Sequence, residues 1–166
     1  MKTVSIIGFG RFGQVLHRLL KDDFSVVLYD KAGITGASHL GINTRIAKDI
    51  REVFESDVIF YAVPIPAFEE VIKAHKQYFR PDHLLIDVLS VKMHPESVLK
   101  KCLKGTKTRA LLTHPMFGPD SSKSGFTGLP FIIDRFRADK SEYASWKKYF
   151  ESKKLHVIEM SAREHD

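Results

Sequence analysis

The stretch Gly8-Phe9-Gly10-Arg11-Phe12-Gly13 restricts the fold of this chain more than any other, because it follows the apolar run "TVSII" and opens an amphipathic one. Where a strand passes into a helix, glycines at this spacing have separate duties. Gly8 allows the tight turn, Gly10 lets the backbone approach a pyrophosphate, and Gly13 lets helix and strand pack closely. The helix N-terminus beyond them offers unpaired N–H groups and the positive end of its dipole to phosphate. Gly8, Phe9, Gly10, Arg11, Phe12 and Gly13 are therefore the expected pyrophosphate turn of a dinucleotide site.

The rest of the chain repeats this alternation. "TVSIIG", "SVVLYD", "DVIFYAV", "HLLIDV", "RALLT" and "LPFIID" read as strands, several of them apolar throughout, as strands covered on both faces are. Between them, Phe12, Val15, Leu16, Leu19 and Leu20 share one helix face. Phe68, Val71, Ile72 and His75 repeat the spacing after Pro66, and "HPESVLKKCL" begins with Pro95 and Glu96 and closes on lysines. A further helix is expected around Tyr143 to Ser152, and an edge strand at "LHVIEM". Strands alternating with helices imply an α/β fold over residues 1–166: a doubly wound, mostly parallel sheet of the Rossmann NAD(P)-binding kind, with extra edge strands. Thr113 to Pro130, rich in Gly, Pro and Ser, is the longest stretch without a period, and loops of that length are commonly functional or mobile.

A chain of 166 residues suits one domain, and its 43% hydrophobic and 28% charged residues favour neither disorder nor a membrane class. No apolar run approaches the roughly 20 residues that span a bilayer, so no membrane partner is expected. The first residues enter the first strand with no charged leader, apolar segment or cleavage site, which makes a cytoplasmic location the expectation. Cys102 is the only cysteine, so neither a disulfide within the chain nor a cysteine metal cluster can form. The histidines show no paired ligand spacing, and no metal is expected. The net charge of +6 is spread along the chain without a nucleic-acid motif, which leaves anionic small molecules ahead of nucleic acid as ligands.

In an open parallel sheet, ligands sit at the carboxyl ends of the strands, where the strand order reverses. Asp30 closes the second strand about 20 residues beyond the glycine turn, where an acid accepts ribose hydroxyls and repels a 2′-phosphate. That favours NAD, and Lys31 beside it leaves NADP open. Val63 and Pro64 would wall the cofactor, while Ser90 and His114 would meet near the reacting carbon. Histidine suits that place because its ordinary pKa, about 6.5, lets it take a proton from an alcohol as hydride leaves. Ser90 also reads as a loop cap and His114 as a strand-end histidine, and spacing alone does not separate these. Lys92 and Lys123, on loops at the same edge, are candidate carboxylate binders.

The segments "GFGRFGQVL", "DVLSVK", "THPMFGPDSSKSGFTGLPFI" and "EMSAREHD" together resemble the nucleotide-binding domain of the prephenate and arogenate dehydrogenase family, in a version closest to its plant-like arogenate branch. The resemblance covers essentially the whole chain. It implies NAD(P)-dependent oxidative decarboxylation of prephenate to 4-hydroxyphenylpyruvate, or of arogenate to tyrosine, with His114 on the ring hydroxyl and Ser90 holding hydroxyl and histidine. It also implies a homodimer formed through an all-helical domain that follows Glu-His-Asp in the family. Without that domain the substrate site should be incomplete, with cofactor binding but weak or absent turnover. The plant-like branch places an acid for the arogenate amino group in the loop after the histidine motif; Ser124 stands there, with Asp120 nearby, which favours prephenate. Two other readings stay open: an NAD-sensing module without catalysis, and a β-hydroxyacid or imine-type dehydrogenase, which usually needs a lysine from a following helical domain.

Overall fold

The structure, a computed structural model, describes the backbone of residues 1–166 and every side chain but that of Ala37. In chain order the elements are β1 (Thr3–Ile7), α1 (Arg11–Leu20), β2 (Ser25–Tyr29), β3 (Thr44–Ile46), α2 (Ile50–Val53), β4 (Val58–Tyr61), α3 (Phe68–His75), β5 (Leu84–Asp87), α4 (Met93–Cys102), β6 (Arg109–Pro115), β7 (Pro130–Asp134), α5 (Lys140–Ser152), β8 (His156–Glu159) and α6 (Ala162–His165). They form one eight-stranded sheet in the order β3-β2-β1-β4-β5-β6-β7-β8. Every neighbouring pair is parallel except β6 with β7. Among the described residues no helix is long and apolar enough to cross a membrane.

The continuously apolar strands are explained by a core on each face. Val4, Ile6, Val58, Phe60, Leu84, Ile86 and Leu111 point to the face covered by α1 and α5, where they meet Leu16, Leu20, Trp146 and Phe150. Their alternates Ile7, Ile59, Tyr61, Leu85, Ala110 and Leu112 meet Val53, Phe68, Ile72, Val98 and Leu99 of α2, α3 and α4. A period of two thus selects the face, and both faces are dry. Ser5 is the buried polar exception in β1, and its hydroxyl is satisfied by the Val53 carbonyl at 2.9 Å and Ser56 Oγ at 2.7 Å.

Four features depart from expectation. The three-residue strand β3 and the four-residue helix α2 carry too few residues to show a period. The strand β6 does not stop at Thr113 but runs on through His114 and Pro115, because β7 comes back antiparallel and pairs His114 with Ile132 and Pro115 with Phe131. The closing segment folds as α6, started by a capping box of Ser161 and Glu164.

At the first strand-to-helix turn, Gly8 has φ +96°, a conformation that favours glycine, and a Cβ there would sit 2.2 Å from the Ala62 carbonyl oxygen. A Cβ on Gly13 would sit 2.2 Å from the Gly8 carbonyl oxygen, whereas one on Gly10 meets nothing within 4 Å. Gly13→Ala should therefore force α1 off β1 and cost about 1–3 kcal/mol, read as a lower urea midpoint, while Gly10→Ala should keep the parent's stability. Equal midpoints for Gly13→Ala and the parent would contradict the close packing.

Candidate active site

The strand order reverses between β2-β1 and β4-β5-β6, and the crevice that opens there has a volume of about 870 Å³, well within the range of small-molecule sites. Gly8, Gly10, Arg11, Phe12, Asp30, Lys31, Val63, Pro64, Ser90 and His114 all line it. At one end lies the N-terminus of α1. No side chain caps this helix and its first turn holds no acid, so its N–H groups stay available to an anion. The open space around Gly10 is the same fact seen from the ligand's side.

Phe9 and Gly13 do not reach the crevice surface; they build the turn from behind. The Phe9 N–H donates to Asp30 Oδ2 at 2.8 Å, and Gly8 N–H donates to the Tyr29 carbonyl at 2.8 Å. Asp30 Oδ1 accepts from the Ala32 N–H at 2.9 Å. Asp30 therefore ties the glycine turn to the end of β2, and each oxygen retains a second lone pair for a hydroxyl.

At the other end, β6 outruns β5: their last pair is Asp87 with Leu112, so Thr113 and His114 stand beyond the end of β5. Beneath them lies a buried ion pair. Lys92 Nζ donates to Asp87 Oδ2 and, at 2.6 Å, to the Thr113 carbonyl. Asp87 Oδ1 accepts the Thr113 N–H at 3.1 Å, Oδ2 accepts the Leu89 N–H at 3.2 Å, and the Thr113 hydroxyl donates to the Asp87 carbonyl at 2.6 Å. Burial pushes the Asp87 carboxyl up and the Lys92 ammonium down, and in each case the partner's charge is the chief opposing influence.

This corrects the expectation that Lys92 waits on a loop for a substrate carboxylate. It is wholly buried, spent on Asp87 and Thr113, and absent from the crevice lining. Lys123 and Ser124 are exposed on the loop between β6 and β7 and do not line the crevice either, because that loop is drawn onto α1 by Arg18, which donates to the Ser122 carbonyl and hydroxyl. Asp120 instead lies 3.6 Å from Arg11.

His114 is half-buried, and its pKa is lowered to about 4, first by desolvation and then by the charges of His165 and Lys92. The ring is therefore a neutral imidazole at physiological pH, able to accept a proton. Ser90 is exposed on the crevice wall but makes no hydrogen bond to it. Instead His114 Nδ1 lies 2.8 Å from His165 Nε2, and His165 Nδ1 lies 2.5 Å from Asp166 Oδ1. Sequence reasoning passed over His165 and Asp166; the Ser161-x-x-Glu164 capping signature was the clue that an ordered helix carries them there.

Residues 16–159 match the family described as prephenate dehydrogenase, nucleotide-binding domain. The chain belongs to this family. Chloroplastic arogenate dehydrogenases 1 and 2 of Arabidopsis thaliana are 34% and 31% identical over 98% of this chain, which spans 27% and 48% of their lengths. Among solved structures, Aquifex aeolicus prephenate dehydrogenase in complex with hydroxyphenyl propionate and NAD+ superposes with a TM-score of 0.79 over 99% of this chain and 62% of its own, at 23% identity. That likeness confirms the mostly parallel Rossmann fold of this family member.

Two outcomes follow from the electrostatics. Lys92→Met keeps volume but strands the Asp87 charge, and should cost about 3–5 kcal/mol of unfolding free energy; a loss of about 1 kcal/mol or less, the scale of an exposed pair, would refute it. Burial also lowers His75 to about 4, and His17 and His83 in the same direction. With His114, these groups bind more protons unfolded than folded below the ordinary value of 6.5. Stability should hold above that pH and fall as pH drops from 6.5 toward about 4, which urea titrations at a series of pH values would show.

Proposed function

We propose that this domain binds NAD in the crevice between Gly8 and His114 and serves the oxidative decarboxylation of prephenate or arogenate. One observation carries the reading: an uncapped helix N-terminus and a neutral histidine stand at opposite ends of one crevice with an apolar wall between them. The family membership and the arogenate dehydrogenase relatives support it. The N–H groups after Gly10 would hold the pyrophosphate, Asp30 the adenosine ribose, and Val63, Pro64 and Val88 would press on the rings. Asp30 places NAD ahead of NADP, since a 2′-phosphate would meet its carboxylate.

A bound nicotinamide supplies the hydride acceptor; the chain's own residues do the rest. His114 accepts the ring hydroxyl proton while the hydride leaves C4, giving a dienone and an imidazolium. The bond between the ring and its carboxylate then breaks, carbon dioxide departs, and the electron pair left behind makes the ring aromatic. The phenolic oxygen takes the proton back from His114, which ends as it began. Ser90, which also lines the crevice, would donate to that oxygen.

Calorimetric titration with NAD, repeated with prephenate and with arogenate, tests this. NAD should bind, and one of the two substrates should tighten it. Gly10→Val should weaken NAD binding at least tenfold without lowering the unfolding midpoint, because its side chain points into open crevice. His114→Asn should leave NAD affinity within about threefold but abolish the tightening that the substrate brings, because the ring hydroxyl loses its acceptor. NAD binding indifferent to Gly10, or none, would overturn the reading.

A further inference from the structure

An imidazole can act as a base at only one nitrogen at a time, and the hydrogen bond at the other decides which. In this chain that bond leads away from the crevice. His114 Nδ1 meets His165 Nε2 at 2.8 Å, and His165 Nδ1 meets Asp166 Oδ1 at 2.5 Å. Asp166 is itself anchored, accepting the N–H groups of Lys92 at 3.0 Å and Met93 at 2.8 Å where α4 begins. The His165 side chain is 11% exposed, and its helix is held by the Ser161 and Glu164 capping box. The rings of His114 and His165 cross at 65° with centroids 5.0 Å apart, an edge arrangement that lets the two nitrogens face each other.

The direction of each proton follows from Asp166. Burial alone would raise its carboxyl, but the Met93 and Lys92 N–H groups and the His165 ring hold it below the usual carboxylate range, so it is an acceptor. When the His165 ring carries a single proton, the carboxylate facing its Nδ1 requires that proton to sit there, which leaves Nε2 as a lone pair. That lone pair can only accept, so His114 must carry its proton on Nδ1. Nε2 of His114 is then the unprotonated nitrogen left to the crevice.

We propose that His165 and Asp166 are positioning residues that hold His114 in the Nδ1–H tautomer and so present Nε2 as a base. Neither touches the crevice; they act through the His114 ring. The tautomer is a property of the chain alone, whereas its use on a substrate hydroxyl rests on the dehydrogenase reading above.

The test is ¹⁵N NMR of the histidine rings in the intact chain, at a pH well above the ordinary histidine value and without ligand. His114 should show a protonated Nδ1 and a lone-pair Nε2, the opposite of the form free histidine prefers. His165→Gln places a carbonyl oxygen near the position of Nε2 and should keep that tautomer; His165→Asn reaches only to the position of Nδ1 and should release His114 to Nε2–H. A wild-type His114 protonated on Nε2, or a tautomer unmoved by His165→Asn, overturns the proposal, and the wild-type spectrum decides even if a variant fails to fold. Should NAD not bind while the Nδ1–H tautomer is found, the dehydrogenase reading falls and the positioning chain stands.

Discussion

Everything at the inner end of the crevice rests on one buried contact, Lys92 on Asp87. A lysine and an aspartate with no exposed surface cost several kcal/mol each to desolvate, and their attraction offsets this only when the remaining donors and acceptors are satisfied. Here they are: the carboxylate takes two backbone N–H groups besides the ammonium, and the ammonium takes the Thr113 carbonyl. The result clamps the end of β5 to β6 at the point where β6 runs on past β5 with only β7 beside it. Ser90 lies between the two members of the pair in sequence and His114 follows Thr113, so one clamp sets the backbone on which both stand.

The opposite end is set by contact without charge. Gly8 lies against Ala62, and Gly13 lies against Gly8, at distances no side chain allows. Those contacts bring the start of α1 to the sheet edge, where Asp30 fastens the turn to β2. Helix dipole and orphan N–H groups then face the same opening that His114 faces from across the sheet. The two ends were built by different forces, close packing at one and a neutralised ion pair at the other, and the parallel sheet between them fixes their separation.

Much of this could be read in the residues. Apolar strands in alternation with amphipathic helices announced a sheet covered on both faces, and Gly8, Gly10 and Gly13 announced the turn, because both are local patterns with physical periods. The three residues of β3 and four of α2 carry no period and were missed. Lys92 misled for a different reason: a lysine between strand and helix usually reaches water, and only the fold puts Asp87 beneath it. Lys123 was assigned to the site from its loop at the same sheet edge and Ser124 by resemblance, while the packing of their loop through Arg18 and Phe126 carries them away from the crevice.

What the sequence determined alone is the class of fold, the place of the glycine turn and the sheet edge on which the crevice opens, since each follows from spacing along one segment. What only the tertiary structure decided is which groups meet there. His114 and His165 are 51 residues apart, Asp166 and Lys92 are 74, and nothing local couples them. The antiparallel return of β7 extends β6 to carry His114, and α6 brings His165 and Asp166 in behind it. Which nitrogen of a histidine faces a substrate is set by the group on its other side, and that group is supplied by the fold.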